Sequence, residues 1–103
     1  MRTILALAAV VLPLASVAAD AQSGRAKAAA CALCHGRNGV STLPDAPHLA
    51  GQPAVYTEAQ LRNYRSGGRR HEVMSLVAKP LSDADIADLA AWYVSIRIEA
   101  TPP

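Results

Sequence analysis

Two cysteines three positions apart with a histidine directly after them, Cys31-Ala32-Leu33-Cys34-His35, are the residues of this 103-residue chain best suited to chemistry. The spacing fits covalent haem attachment, in which two thiols add to the two haem vinyl groups and the adjacent imidazole reaches the iron. On a helix the i, i+3 separation puts both sulfurs on one face. His35 then projects over the ring as the proximal ligand. Other uses of a C-x-x-C pair fit less well. A thioredoxin-like redox disulfide needs a βαβ setting, and no strand pattern occurs here. A closed zinc site needs four ligands, and the remaining histidines, His48 and His71, lie too far apart for an H-x3–5-H clip.

An iron with one imidazole still needs a sixth ligand. Met74 is the only methionine besides Met1. Alone, a methionine is a core filler far more often than a ligand. Here its thioether, far along the chain from His35, can approach the iron from the opposite face. A proximal imidazole usually donates its second N–H to a carbonyl, which orients the ring and raises its basicity. The Pro47 carbonyl is the expected acceptor, and Leu49 is expected to pack on the haem. His48 reads as a solvated loop histidine.

Helices must position these groups. Gly24 to Cys34 is Ala-rich and helix-favouring, with Asp20 or Ser23 as its cap. Gly36-Arg37-Asn38-Gly39 breaks it right after His35. Gln52-Pro53 opens a second helix with proline in its first turn. Tyr56, Gln60, Leu61 and Tyr64 share one arc of it, a core face whose tyrosine hydroxyls can reach a haem propionate, and Ser66-Gly67-Gly68 ends it. Ser82 caps a last helix with Asp83 and Asp85 in its first turn. Ile86, Leu89, Ala90, Tyr93 and Ile96 form its apolar stripe, with Trp92 at the margin. The small residues Gly24 and Ala28 are the expected receiver of that stripe. Nothing reads as a strand, and the fold class is all-α.

Residues 1–21 read as an export signal. Arg2 begins it, Ile4 to Leu14 form a short apolar run, and Val17-Ala18-Ala19 and Ala19-Asp20-Ala21 offer cleavage after Ala19 or Ala21. The run is too short for a stable membrane span. Residues 22–103 are then one small domain, exported to the periplasm. Its core is modest. A haem hiding roughly 400 Å² of apolar surface would contribute about 10 kcal/mol, so the chain without haem should fold poorly. The mature charge, nine cations against seven anions, is close to neutral once two propionates are added, which argues against a nucleic-acid partner. Arg62, Arg65, Arg69, Arg70 and Lys79 are clustered, and the first four could form a docking face.

Taken together, Cys31 to Gly36, Pro47-His48-Leu49-Ala50-Gly51-Gln52, Tyr56 to Tyr64 with Gly67 and Arg69, Met74, and Leu81 to Tyr93 resemble class I cytochromes c. The likeness is to the short soluble monohaem bacterial type and to the domains of dihaem periplasmic cytochromes. It covers nearly the whole mature chain. The resemblance implies a small helical domain wrapped around one haem c, with crossed terminal helices. It implies thioether bonds at Cys31 and Cys34 and iron ligation by His35 and Met74, beside the haem pocket expected above from Pro47, Leu49, Tyr56 and Tyr64. His71 is the one rival to Met74.

The function expected is one-electron transfer, with no substrate bond made or broken and no enzymatic activity. The expected partners are a redox donor and acceptor, such as a membrane oxidoreductase or terminal oxidase, met by a monomer. Two alternatives remain at this level. One is a haem sensor or peroxidase-like protein with a labile distal position. The other is a dedicated cytochrome subunit of a dehydrogenase or oxidase.

Overall fold

A computed structural model describes residues 9–14 and 18–103. Most of the expected export signal lies outside the described residues. Five helices follow in order: α1 (Ala21–Lys27), α2 (Ala29–His35), α3 (Ala54–Ser66), α4 (Met74–Ala78) and α5 (Asp83–Ser95). No strand occurs among the described residues, as the residue pattern predicts.

The first helical segment is two helices rather than one. Asp20 caps α1 by accepting from the Gln22 N–H at 3.0 Å. The backbone ladder continues through the joint, with Ala28 N–H on Gly24 O at 2.8 Å and Ala32 N–H on Ala28 O at 3.0 Å. Ala28 itself departs from regular helix, at ψ −6°, where it is buried against Leu89 and Tyr93. Beyond this joint, Cys31 of α2 packs against the same Ala28, Leu89 and Tyr93 cluster.

Helix α5 begins with a reciprocal cap. Ser82 Oγ accepts from the Asp85 N–H at 3.0 Å, and Asp85 returns a bond from the Ser82 N–H at 3.0 Å. Such a cap contributes about 1 kcal/mol. The helix buries Ile86, Leu89, Ala90 and Tyr93. At about 1.5–3 kcal/mol per large aliphatic side chain, Ile86 and Leu89 are its main anchors. Ile96 falls just past the helix end and is half-buried.

Helices α1 and α5 cross in the most extensive helix contact of the described residues. Gly24 sits at the crossing, where any Cβ would collide with the Asp88 carbonyl. The receiver of the stripe is therefore the Gly24/Ala28 face. Arg25 lies 5.7 Å over the Trp92 ring at the margin of the contact.

Pro53 caps α3 from just outside rather than standing in its first turn. Gly67, at φ +87°, closes α3 by giving its N–H to Asn63 O at 3.0 Å. The arc expected to be core on α3 is instead the wall of a cleft: Thr57 is the residue of α3 that is buried, and Tyr56 is 49% exposed.

Candidate haem-binding cleft

A cleft of about 370 Å³ runs between α2, the loop 43–52, α3, α4 and α5. Cys31, Cys34, His35, Pro47, Leu49, Tyr56, Tyr64 and Met74 all line it, together with Gln60, Leu61, Leu89 and Tyr93. Residues separated by almost the full length of the domain thus share one mostly apolar space.

The His35 side is built by a loop folded back on the end of α2. Gly36, at φ +83°, turns the chain out of the helix. Gly39 O then accepts from the Leu49 and Ala50 N–H groups at 2.7 and 3.0 Å, drawing the second half of the loop under the first. Gly39 has φ +72° and a Cβ there would lie 2.9 Å from the Tyr93 ring. Buried Ser41 adds its hydroxyl, 3.1 Å from Cys34 O and accepting from Leu43 N–H at 3.0 Å. The result presents the Pro47 carbonyl 2.8 Å from His35 Nδ1. That bond puts the proton on Nδ1 and leaves the Nε2 lone pair free for a metal. His35 is 8% exposed.

His48 is more than a solvated histidine. Although exposed, its Nδ1 accepts from the Ser41 N–H at 2.8 Å and ties the loop across its width. Neither Ser41 nor this use of His48 carries any periodic or motif signal in the chain.

The two thiols are free rather than paired with each other. Cys31 is partly buried against the Tyr93 hydroxyl, and burial pushes its thiol pKa up. Tyr93 is raised as well, by burial first and the neighbouring thiol second. Tyr93 also accepts from Gly51 N–H at 2.8 Å through its carbonyl, so one residue of α5 touches α2, Gly39 and the far end of the loop. The sequence pattern marks Tyr93 as core without showing this junction.

The Met74 side is assembled locally. Met74 is the first residue of α4 rather than part of an open loop. His71 Nδ1 accepts from the Val73 and Met74 N–H groups, each at 3.2 Å, and His71 N–H donates to Ser75 Oγ at 3.0 Å. With Nδ1 occupied in this way, His71 serves the turn that presents Met74. Its ring stands edge-on to Tyr64, with 6.5 Å between centroids.

The arginines expected to act together have separate roles. Arg62 pairs with Glu58 one turn away at 3.3 Å. Arg65 pairs with Asp83 at 2.6 Å and donates to Leu81 O at 3.0 Å, joining α3 to the start of α5. Arg69 donates to Gln60 at 2.7 Å and lies 4.7 Å over the Tyr64 ring, on the cleft wall. Arg70 and Lys79 have no ion-pair partner among the described residues. They line a shallow groove with His71, Glu72 and Ser75 beside the cleft.

No helix among the described residues is long and apolar enough to cross a membrane. The cleft has the contents that a covalently held haem needs: two thiols and an imidazole on one helix end, an apolar lining, and a thioether brought in from another element.

Comparison with known proteins agrees. The family model described as Cytochrome c matches residues 21–96. Cytochrome c-554(548) of Halomonas halodenitrificans is 43% identical over 81 residues, covering 76% of this chain and 98% of that protein. The thiosulfate dehydrogenase electron acceptor of Thiomonas intermedia (strain K12) is 38% identical over 104 residues, 99% of this chain and 48% of its own length. The crystal structure of reduced recombinant cytochrome c4 from Pseudomonas stutzeri superposes with a TM-score of 0.74 at 38% identity, covering 78% of this chain and 47% of that one. The chain therefore spans nearly all of the first and about half of the other two.

Proposed function

The chain belongs to the cytochrome c family and is an electron-transfer protein with covalently bound haem c, not an enzyme, and on that footing we propose how its residues hold the haem and meet partners. Cys31 and Cys34 form the two thioether bonds. His35 through Nε2 and Met74 through its sulfur would hold the iron. The observation that carries this reading is the 2.8 Å bond from His35 Nδ1 to the Pro47 carbonyl in a cleft that Met74 also lines.

When bound, the haem supplies reversible one-electron iron chemistry. The chain supplies the environment. Pro47 orients the His35 imidazole and makes Nε2 a better donor. Leu49, Leu61 and Leu89 keep water from the apolar ring. Met74, a soft ligand, favours the reduced iron and raises the potential. Tyr56 and Tyr64, on the α3 wall, supply hydroxyls for the polar edge of the haem. Held by both His35 and Met74, the iron would be closed to small molecules, which fits one-electron transfer.

Carbon monoxide tests the ligand set. The reduced protein at neutral pH should resist it, and ready binding would favour the sensor or peroxidase-like reading instead. The protein acts in the periplasm after removal of residues 1–19 or 1–21, leaving one cytochrome domain. It meets an electron donor and an acceptor, such as a membrane oxidoreductase or terminal oxidase, as a monomer. The docking surface is narrower than the arginine cluster suggested. With Arg62, Arg65 and Arg69 engaged elsewhere, Arg70 and Lys79 are the cluster's basic side chains left to steer an acidic partner.

A second reading has specific support. The Thiomonas intermedia relative that matches 99% of this chain is an electron acceptor of thiosulfate dehydrogenase. Service to one dedicated dehydrogenase of that kind is the form this reading takes here. Rapid reduction of the purified protein by such an enzyme, against none by other dehydrogenases, would favour it over a general shuttle.

A further inference from the structure

Asp20 does more than cap α1. Its carboxylate accepts from Gln22 N–H at 3.0 Å and from the Ser23 hydroxyl at 2.8 Å, while its carbonyl accepts from Gly24 N–H at 2.9 Å. Its own N–H crosses to α5 and donates to Asp88 Oδ1 at 2.8 Å. The other Asp88 oxygen takes Lys27 Nζ at 2.6 Å, and Lys27 also reaches Asp85 at 2.9 Å. Asp88 is the most enclosed of these side chains, 14% exposed. Two carboxylates, Asp85 and Asp88, thus share a single cation, Lys27, while the Asp20 carboxylate is taken up by its own helix start. Arg25, the nearest other cation in sequence, lies over Trp92 instead. Ala18 and Ala19, immediately before Asp20, are exposed and outside any helix.

We infer that the export leader is cut after Ala19 and that the ammonium group freed on Asp20 becomes the second cation of this cluster, binding Asp88 and locking α1 to α5. The inference rests on residues 1–19 being a removable leader. Water adds across the Ala19–Asp20 peptide bond under a signal peptidase, leaving a carboxylate on Ala19 and an ammonium on Asp20. A neutral N–H already 2.8 Å from Asp88 Oδ1 is thereby replaced by a charged group with three protons. Charge-assisted bonds of this kind are roughly twice as strong as neutral ones. A cation at a helix start opposes the helix dipole, and the Asp20 and Asp88 carboxylates offset that. Cleavage after Ala21 would instead discard both the cap and the bond to α5. Processing at Ala19 therefore tightens the crossing that supports α2 and its cysteines.

The test is the intact mass of the holoprotein purified from the periplasm of a host that matures such proteins, followed by melting of two forms. A chain beginning at Asp20 is expected. A chain beginning at Gln22 overturns the inference while leaving the export reading intact, and an uncut chain overturns both. A second preprotein, with its leader redesigned to release Gln22, should give a holoprotein that melts about 5 °C lower. Asp88→Asn, which also breaks the Lys27 pair, should lower the Tm of both forms and that of the Asp20 form by clearly more. Equal Tm values for the two starts, or equal losses from Asp88→Asn in both, would show that the ammonium locks nothing.

Discussion

The two sides of the cleft are built by different means. On the His35 side, the loop of eighteen residues between α2 and α3 is stitched to itself and then pinned from a distance: Gly39 O takes two N–H groups, Ser41 meets His48, and Tyr93 of α5 holds the far end through Gly51. On the Met74 side, nearly every bond links residues within four positions of one another, from His71 to Ser75, at the start of a five-residue helix with no side-chain cap. The longer ties there are Arg69 to Gln60 and Arg65 to Asp83 and the Leu81 carbonyl. Tertiary packing resists displacement more than one short turn can. The imidazole side is accordingly the fixed wall of the site, and the thioether side is the one that can give.

The sharpest way to break this comparison is to remove each proposed ligand. His35→Ala should prevent recovery of native haem-bearing protein almost completely. Met74→Ala should keep the covalent haem and the fold, lower the potential, and open the reduced iron to carbon monoxide. Visible spectra and a redox titration of both variants decide it, and a Met74→Ala protein identical to wild type would remove Met74 from the iron.

Glycine substitutions compare the supports. Gly39→Ala forces a side chain into a positive φ and against Ala50 N and the Tyr93 ring, at 2.7 and 2.9 Å, so it should cost about 3 kcal/mol. Gly67→Ala meets nothing within 4 Å and should cost about 1 kcal/mol, from φ alone. Thermal or denaturant unfolding of the two holoproteins gives the ranking. Equal losses would mean that the His35 loop is no more tightly packed than the end of α3.

Acid should act on both sides together. Asp83 is held below its usual range by Arg65, while Asp85 is lowered to about 2, first by the Ser82 N–H and then by Lys27. A carboxylate with a depressed folded pKa contributes stability fully above its unfolded value near 3.8, and that contribution disappears as pH falls toward about 2. The Tm should therefore be flat with respect to these groups from about pH 7 to 5 and fall below about pH 4. Asp85→Asn should flatten that decline in part. Lys27 has the opposite sign: its raised pKa gives stability that is lost only as pH climbs beyond its ordinary value of 10.5.

The smallest structural effect is expected from Arg70→Glu with Lys79→Glu. Surface changes of this kind alter stability by no more than about 0.5 kcal/mol. The rate of electron transfer to an acidic partner should nevertheless drop several-fold at low salt and converge with wild type at high salt. A rate unchanged at low ionic strength would place docking elsewhere.

Much of this site was legible before any coordinates. Ser82 with Asp85, Gly67, Asp20 and the Cys31-to-His35 run all work through neighbours within a few positions, where helical geometry makes spacing informative. Even the Pro47 carbonyl could be named, because an imidazole ligand needs an acceptor and the loop after α2 must supply it. Other features escaped for a physical reason. The joint at Ala28, the Tyr93 junction, and the use of His48 by Ser41 depend on how closely α5 settles on α1 and on the path of a loop, neither of which leaves a period. The arginines show the same division. Their clustering was plain in the chain, and Arg62 with Glu58 is an i, i+4 pair on one helix, but whether Arg65 finds Asp83 is decided by which helix lies opposite. By itself the sequence determined the main helical stretches, several of their ends and the Cys31-to-His35 run, but neither the break at Ala28 nor α4. Only tertiary packing decided that Met74 shares a cleft with His35, because that proximity comes from burying the stripe of α5 and the walls of α3 rather than from any local preference.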